Sequence, residues 1–216
     1  MDPVILSYHD VVLRRSDVKL LTAPCWLNDS VIGFAFEYLQ KEEFSTCVDS
    51  AAFISPEVTQ FIKCSYTEDL GSFLEPLELP RKKAIFLAVN DHDELQTSGG
   101  SHWSLLLYNR AENTFHHFDS LGKNNLSQAR RLAHQLERFL GLGSKTPALI
   151  HEESAPSQSN AYDCGVYVIC NVLLLGRWLL LGESFPQLSQ IVTPAFVTQQ
   201  RLEWRQLVER LAHGGK

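Results

Sequence analysis

The spacing of apolar residues changes along the chain, and each change marks a different kind of structural element. Towards both ends, apolar residues recur every three to four positions, which is typical of amphipathic helices. The middle has short apolar runs between polar turns, a pattern that predicts strands, together with one further helical stretch. Helices are predicted from 28 or 29 to about 41, from 55–56 onward, over about 127–140, over 164–182 and from 193–194 onward, and strands over 84–89, 102–108, 114–119 and 148–151.

The order of these elements favours one α+β domain. Helices precede and follow a cluster of strands, which is typical of a central, mostly antiparallel sheet packed by helices. The strands 102–108 and 114–119 are separated by only five residues, so an antiparallel hairpin is predicted there. No internal repeat or linker divides the chain, and 216 residues fit one large domain. We therefore expect residues 1–216 to form a single domain.

Charge and hydropathy exclude two classes of partner. Nineteen Lys and Arg residues against 25 Asp and Glu residues give a net charge of −6, whereas a nucleic-acid-binding domain usually has a basic face. The most apolar stretch, 166–181, is interrupted by Asn171 and Arg177, and it is shorter than the ~18 uncharged residues of a membrane span. We therefore expect a buried helix there and neither nucleic acid nor a membrane as a partner. We also expect the protein to be a monomer.

The cysteines bear on the cellular compartment. Five scattered cysteines are too few for a disulfide framework, and their odd number leaves at least one thiol free. No charged segment leads into an apolar run at the N-terminus, so no signal peptide is predicted. A reducing compartment, the cytoplasm or the nucleus, is the expectation.

Cys164 is the strongest candidate for a reactive residue. It stands where a polar loop gives way to the apolar helix, and the positive end of a helix favours the thiolate form of such a cysteine. A cysteine nucleophile needs a base, and the base needs a third group to orient it. His102 begins one strand of the predicted hairpin and Asp119 ends the other, so antiparallel pairing brings both to the same end of the sheet. This arrangement predicts a Cys164–His102–Asp119 catalytic triad.

Gln158 is the candidate for stabilising the negative charge that develops during acyl transfer. It lies six residues before Cys164, where its amide and the backbone N–H of Cys164 can form an oxyanion hole. Asn160 is an alternative with less favourable spacing. Neither a metal nor another cofactor is expected, because His116 and His117 are adjacent on a strand and point to opposite faces.

These motifs together resemble a known family. The order His102-Trp103, Asp119-Ser120, Gln158 and Asp163-Cys164-Gly165 resembles that of the ubiquitin-like-protein-specific cysteine proteases of the sentrin-specific or Ulp type. Trp26-Leu27-Asn28-Asp29 matches the N-terminal motif of that family, and the resemblance extends over about residues 20–205. It implies a papain-like fold in permuted order and a single catalytic domain that cleaves after the Gly-Gly tail of a modifier.

The resemblance also implies the substrate and the residues that bind it. It favours a Nedd/Rub-type modifier and its conjugates, such as cullins, over a SUMO-type modifier. Trp26 and Trp103 are expected to form a narrow slot that only glycine can thread. Acidic residues, Asp29, the loop 91–94 and Asp163, are expected to line the cleft and attract the arginine of a modifier tail. Two other functions stay open: acyl transfer to an acceptor other than water, and a catalytically silent module that binds a ubiquitin-like protein.

Overall fold

The computed structural model describes residues 2–65, 70–94, 99–141 and 148–214. Its seven strands are β1 Val4–Tyr8, β2 Val11–Arg14, β3 Ala51–Ile54, β4 Ala84–Asn90, β5 Trp103–Asn109, β6 Thr114–Phe118 and β7 Leu149–Glu152. Its α-helices are α1 Arg15–Lys19, α2 Asp29–Tyr38, α3 Pro56–Cys64, α4 Leu70–Leu74, α5 Leu126–Glu137, α6 Cys164–Leu181, α7 Leu188–Ile191 and α8 Pro194–Ala212. A π-helical turn, Leu39–Glu43, continues α2.

The central sheet has five strands in the order β3-β4-β5-β6-β7. The central pairs β4–β5 and β5–β6 are antiparallel, as predicted, but the outer pairs β3–β4 and β6–β7 are parallel. The sheet is therefore mixed, and the expectation of a mostly antiparallel sheet holds only for its centre. Helices explain the difference, because α3 lies between β3 and β4 and α5 between β6 and β7, and a helical crossover returns the chain to the same end of the sheet.

The two faces of the sheet bury two apolar clusters. Alternate residues of a strand point to opposite faces, so Leu105 and Leu107 of β5 pack on one side and Leu106 and Tyr108 on the other. Helix α6 packs against β4 and β5 on the first side, and α3 and α5 cover the second. Among the described residues α6 is the one helix long and apolar enough to cross a membrane, and 61% of it is buried inside the protein.

Side-chain caps fix the starts of three predicted helices. Asn28 accepts a hydrogen bond from the third residue of α2 at 3.1 Å, Ser55 from the corresponding residue of α3 at 3.3 Å, and Thr193 from that of α8 at 3.3 Å. Such caps satisfy backbone N–H groups that have no partner within the helix. Helix α6 ends at Gly182, whose φ of +75° is a left-handed conformation that glycine adopts without strain.

Candidate active site

Cys164 is the first residue of α6 and is buried, with 1% of its surface exposed. The next residue, Gly165, lies against the segment that leads into α2. A Cβ atom at Gly165 would lie 3.0 Å from Cβ of Leu27 and 3.2 Å from Cδ1 of Ile32. Glycine therefore allows this close approach without displacing Leu27 or Ile32.

The hairpin brings His102 and Asp119 together. His102 directly precedes β5 and Asp119 directly follows β6, and the antiparallel register places these ends side by side. Nε2 of His102 lies 2.6 Å from Oδ1 of Asp119, and the two side chains are 5% and 0% exposed. The carboxylate also accepts hydrogen bonds from the backbone N–H groups of Leu121 at 2.9 Å and Asn125 at 3.0 Å. Asp119 is therefore fixed on both oxygens and holds the orientation of the ring.

The charges of this pair follow from its hydrogen bonds. Burial lowers the pKa of His102, but the hydrogen bond to Asp119 and the interaction with Cys164 outweigh it and raise the pKa to about 9. Burial raises the pKa of Asp119, but its hydrogen bonds from His102 and from backbone amides lower it overall. His102 is therefore an imidazolium at neutral pH, and a cation beside a thiol favours the thiolate.

Nδ1 of His102 is the ring nitrogen that remains for the thiol. This nitrogen is buried, and no group in the described part of the chain meets the geometry of a hydrogen bond to it. The Cys164 thiol is nevertheless close enough to raise the pKa of the ring. The arrangement supplies a nucleophile, a proton carrier and an orienting carboxylate in one place, which suits acyl transfer through a thioester.

The cleft beside Cys164 has a volume of about 430 Å³. Three predicted substrate-binding residues, Trp26, Asp29 and Trp103, line it together with the thiol. The indole N–H of Trp103 donates to the backbone O of Leu27 at 2.9 Å, and that of Trp26 donates to the backbone O of Ala161. The tryptophans are thus tied to the two chain segments that flank the nucleophile.

Comparison with known proteins agrees with this geometry. Residues 25–177 match the C-terminal catalytic domain of the Ulp1 protease family. The chain belongs to this family. Sentrin-specific protease 8 of Homo sapiens is 50% identical over 98% of this chain and 99% of its own length. NEDD8-specific protease 1 of Arabidopsis thaliana is 38% identical over 97% of this chain and 94% of its own length.

A solved relative shows the same fold. The C-terminal Ulp1 protease domain in complex with Smt3, the yeast ortholog of SUMO, superimposes with a TM-score of 0.73 at 19% identity. The match covers 97% of this chain and 88% of that one. The α+β, papain-like fold predicted from the sequence is therefore confirmed, and the chain is a cysteine protease of the Ulp1 family.

Asp163 does not line the cleft, which corrects one sequence-based expectation. It is 4% exposed, and its carboxylate pairs with the buried guanidinium of Arg201 on α8 at 2.8 Å. Arg201 also donates to the backbone oxygens of Leu20 at 2.7 Å and Tyr162 at 3.1 Å. This ion pair therefore fixes the residue before Cys164 to α8 and to the end of α1, a contact between distant segments that no local pattern indicates.

Asp91 also differs from its expected role as a cleft charge. Its carboxylate accepts hydrogen bonds from Ser101, through the backbone N–H at 2.7 Å and the hydroxyl at 2.8 Å, and from the backbone N–H of His102 at 3.1 Å. Burial raises the pKa of Asp91, but these bonds outweigh it and lower the pKa. Asp91 therefore holds the backbone of the base rather than facing substrate.

The acids that line the cleft overlap with the predicted set, since Asp29 and Glu94 were predicted and Glu57 was not. Asp93 of the loop 91–94 forms an ion pair with Arg131 at 3.7 Å. Asp29, Glu57 and Glu94 line the cleft. Glu57 was not predicted, because a glutamate in the first turn of a helix is also typical of a simple helix start.

Gln158 is fixed beside the end of β6. Its backbone N–H donates to the backbone O of Ser120 at 3.0 Å, and its side-chain oxygen accepts from the Ser120 hydroxyl at 2.6 Å. Its side-chain nitrogen donates to the backbone O of Asn160 at 2.7 Å, which engages one of its two N–H groups. Its role as oxyanion donor stays a prediction. Asn160 instead stabilises the loop before Cys164, because its side-chain oxygen accepts hydrogen bonds from the backbone N–H groups of Tyr162 and Asp163.

Helix α3 holds one rim of the cleft through a buried lysine that sequence reasoning missed. Lys63 is 1% exposed, and its ammonium donates to the backbone oxygens of Asn90 and His92 at 2.5 Å each. Gln60 donates to the backbone oxygens of His92 at 2.8 Å and Glu94 at 3.1 Å. Burial lowers the pKa of Lys63. These side chains fix the segment that contributes Asn90, His92 and Glu94 to the cleft.

Proposed function

We propose that this protein hydrolyses the peptide or isopeptide bond after the C-terminal Gly-Gly of a NEDD8-type modifier. The observation that carries the proposal is the placement of Cys164, at the start of α6 and on the wall of the cleft, beside the 2.6 Å His102–Asp119 pair. The preference for NEDD8 rests on the relatives, because NEDD8-specific protease 1 of Arabidopsis thaliana aligns over nearly the whole chain.

The reaction follows from the charges of the triad. The Cys164 thiolate attacks the carbonyl carbon of the terminal glycine, and the backbone N–H of Cys164 and the amide of Gln158 stabilise the resulting oxyanion. The His102 imidazolium donates its proton to the departing amine, which leaves a thioester on sulfur. His102, now neutral, removes a proton from water, and the hydroxide attacks the thioester and regenerates the thiolate. Asp119 keeps the ring oriented throughout.

The cleft suits a glycine tail that follows an arginine. Trp26 and Trp103 line the approach to the thiol, and planar rings on both sides of a peptide select residues without side chains through sterics. Asp29, Glu57 and Glu94 lie along the same cleft. They give it a negative potential that attracts a basic tail and speeds the encounter.

We propose further that the substrates are conjugates such as neddylated cullins, and that the protein acts as a monomer in the cytoplasm or nucleus. All five cysteines are free thiols, which supports a reducing compartment. The acidic net charge of −6 supports partners other than nucleic acid.

A reporter panel tests the proposed function. NEDD8, SUMO and ubiquitin that carry a C-terminal fluorogenic amide are incubated with the protein, and the initial rates of release are compared. We expect the fastest release from NEDD8, no release with Cys164→Ala, and unchanged release with Cys170→Ala, which removes another buried thiol of the same helix. Faster release from SUMO would contradict the modifier preference, and binding without release would indicate a silent module.

A further inference from the structure

A cluster of two histidines and two glutamates lies at the β7 edge of the sheet, outside the set of residues that line the cleft. His116 of β6 and His151 of β7 are register partners in the parallel pair, with ring centroids 6.0 Å apart. Glu153 directly follows β7. One ligand atom from each of His116, His151 and Glu153 lies within 4.8 Å of the other two. The second histidine thus comes from the neighbouring strand and not from the adjacent position 117.

His117 confirms that the two adjacent histidines act separately. Its ring lies on the opposite face of β6, where it contacts Glu152 at 2.8 Å and the hydroxyl of Ser104 at 2.9 Å. It is completely buried, and it cannot reach the cluster of His116. The alternation of side chains along β6 therefore excludes one chelating pair and leaves the cross-strand pair with His151.

The donor atoms of the cluster have the chemistry of a zinc site. Two imidazoles and one carboxylate form the protein ligand set of many zinc centres that keep an open position. Nδ1 of His116 lies 2.7 Å from Glu153, and its Nε2 lies 2.8 Å from Glu112. A carboxylate on the far nitrogen of a ligating histidine is the usual outer partner that fixes the ring and increases its basicity. His151 is exposed, which leaves an entry path for an ion.

We propose that His116, His151 and Glu153 form a binding site for a divalent transition metal of the zinc class, and that Glu112 positions His116. The metal takes the place of the hydrogen bond between Nδ1 of His116 and Glu153. A bound ion would link β6 to the edge strand β7. It would also fix Glu153, the start of the segment that leads to Cys164.

Zinc titration of the full chain tests this site. The titration uses a Cys164→Ala background, because the catalytic thiolate and His102 could themselves bind zinc, and a competing chromophoric chelator reports free Zn²⁺. We expect one equivalent of zinc per chain. His151→Ala should weaken binding at least tenfold, and Glu112→Gln should weaken it by about tenfold, as loss of an outer partner does. His134→Ala, which removes an exposed histidine of α5, should leave the affinity unchanged.

The ligand set and the link to stability have separate readouts. Co²⁺ in the same protein should give ligand-field bands without a thiolate-to-metal charge-transfer band, and Zn²⁺ should raise the melting temperature by mass action. The proposal is overturned by binding that survives His151→Ala, by a thiolate band, or by the absence of stoichiometric zinc. Zinc affinity, the cobalt spectrum and the melting temperature are measured without substrate, so these outcomes do not depend on the proposed function.

Discussion

Replacing Asp119 with Asn isolates the part of the triad that sets the charge of the base. The carboxylate accepts hydrogen bonds on both oxygens, from His102 on one and from the backbone N–H of Asn125 on the other. An amide has only one acceptor. If its oxygen keeps the bond from Asn125, its N–H₂ faces Nε2 of His102 and forces the neutral tautomer with the proton on Nδ1. That tautomer cannot accept a proton from Cys164.

The magnitude follows from the pKa of His102. Its rise from the ordinary value of 6.5 to about 9 corresponds to a preference of about 3 kcal/mol for the imidazolium. Asp119 is the largest of the causes that raise this pKa, whereas burial opposes it. Without the carboxylate, the pKa therefore falls well below 9 and His102 becomes neutral near pH 7. Loss of proton transfer and orientation together should lower kcat/KM about 10²–10⁴-fold.

The assay is kcat/KM for release of the NEDD8 reporter, measured against pH. Proton transfer to the leaving amine requires protonated His102, so the alkaline limb of this profile lies near the His102 pKa of about 9 in the unaltered protein. Since the folded-state pKa is raised, the stability that His102 contributes is fully present below pH 6.5 and is lost as the pH rises through about 9. Asp119→Asn should move the alkaline limb to lower pH by more than about one unit.

A second histidine–carboxylate pair of β6 supplies the control. Glu152→Gln removes the carboxylate charge that lies 2.8 Å from buried His117 and should leave the alkaline limb in place. An alkaline limb that stays near pH 9 in Asp119→Asn, or one that moves equally in Glu152→Gln, would refute the assignment of Asp119 as the group that sets the charge of the base.

Three further substitutions test the supports of the site. Lys63→Met removes the ammonium that donates to two loop carbonyls. It should raise KM for a NEDD8 reporter about tenfold, while iodoacetamide alkylates the catalytic thiol at the unaltered rate. A normal KM would contradict this role of Lys63. Arg201→Gln leaves Asp163 buried without its cation and should cost about 3–5 kcal/mol in urea unfolding; a cost below about 1 kcal/mol would count against a structural role for the pair. Gly165→Ala should cost about 1–3 kcal/mol through overpacking and lower kcat in the folded fraction, whereas an unchanged kcat would show that the start of α6 tolerates the Cβ.

The fold was predictable from the sequence where local physics decides it. Asn28, Ser55 and Thr193 are residues whose side chains cap helices, and each caps the helix predicted to begin after it. The continuous apolar run of β5 is typical of a strand buried on both faces. Strand β3 was missed because its four residues, Ala51–Ile54, are too short to show a period. Its direction depends on the crossover through α3, and so on tertiary structure.

The active site was likewise predictable only in part. The hairpin geometry was enough to predict that His102 and Asp119 meet, because antiparallel strands joined by a short turn have adjacent ends. The partners of Asp91 and Asp163 were not predictable, since each acid is satisfied by groups distant in sequence, a backbone N–H in one case and Arg201 in the other. A charged residue in the sequence gives no indication of whether it faces solvent, substrate or a buried partner.

In the proposed reaction, Cys164 attacks the terminal carbonyl of a NEDD8-type modifier. The most direct test mixes the protein with NEDD8 that carries an electrophile in place of its terminal carboxylate, followed by peptide mapping with mass spectrometry. We predict one adduct per chain, on Cys164, formed faster than with the matching SUMO probe and greatly slowed by His102→Ala. An adduct on Cys25, Cys47 or Cys64 would contradict the assignment of Cys164 as the nucleophile, and faster labelling by the SUMO probe would contradict the preference for NEDD8.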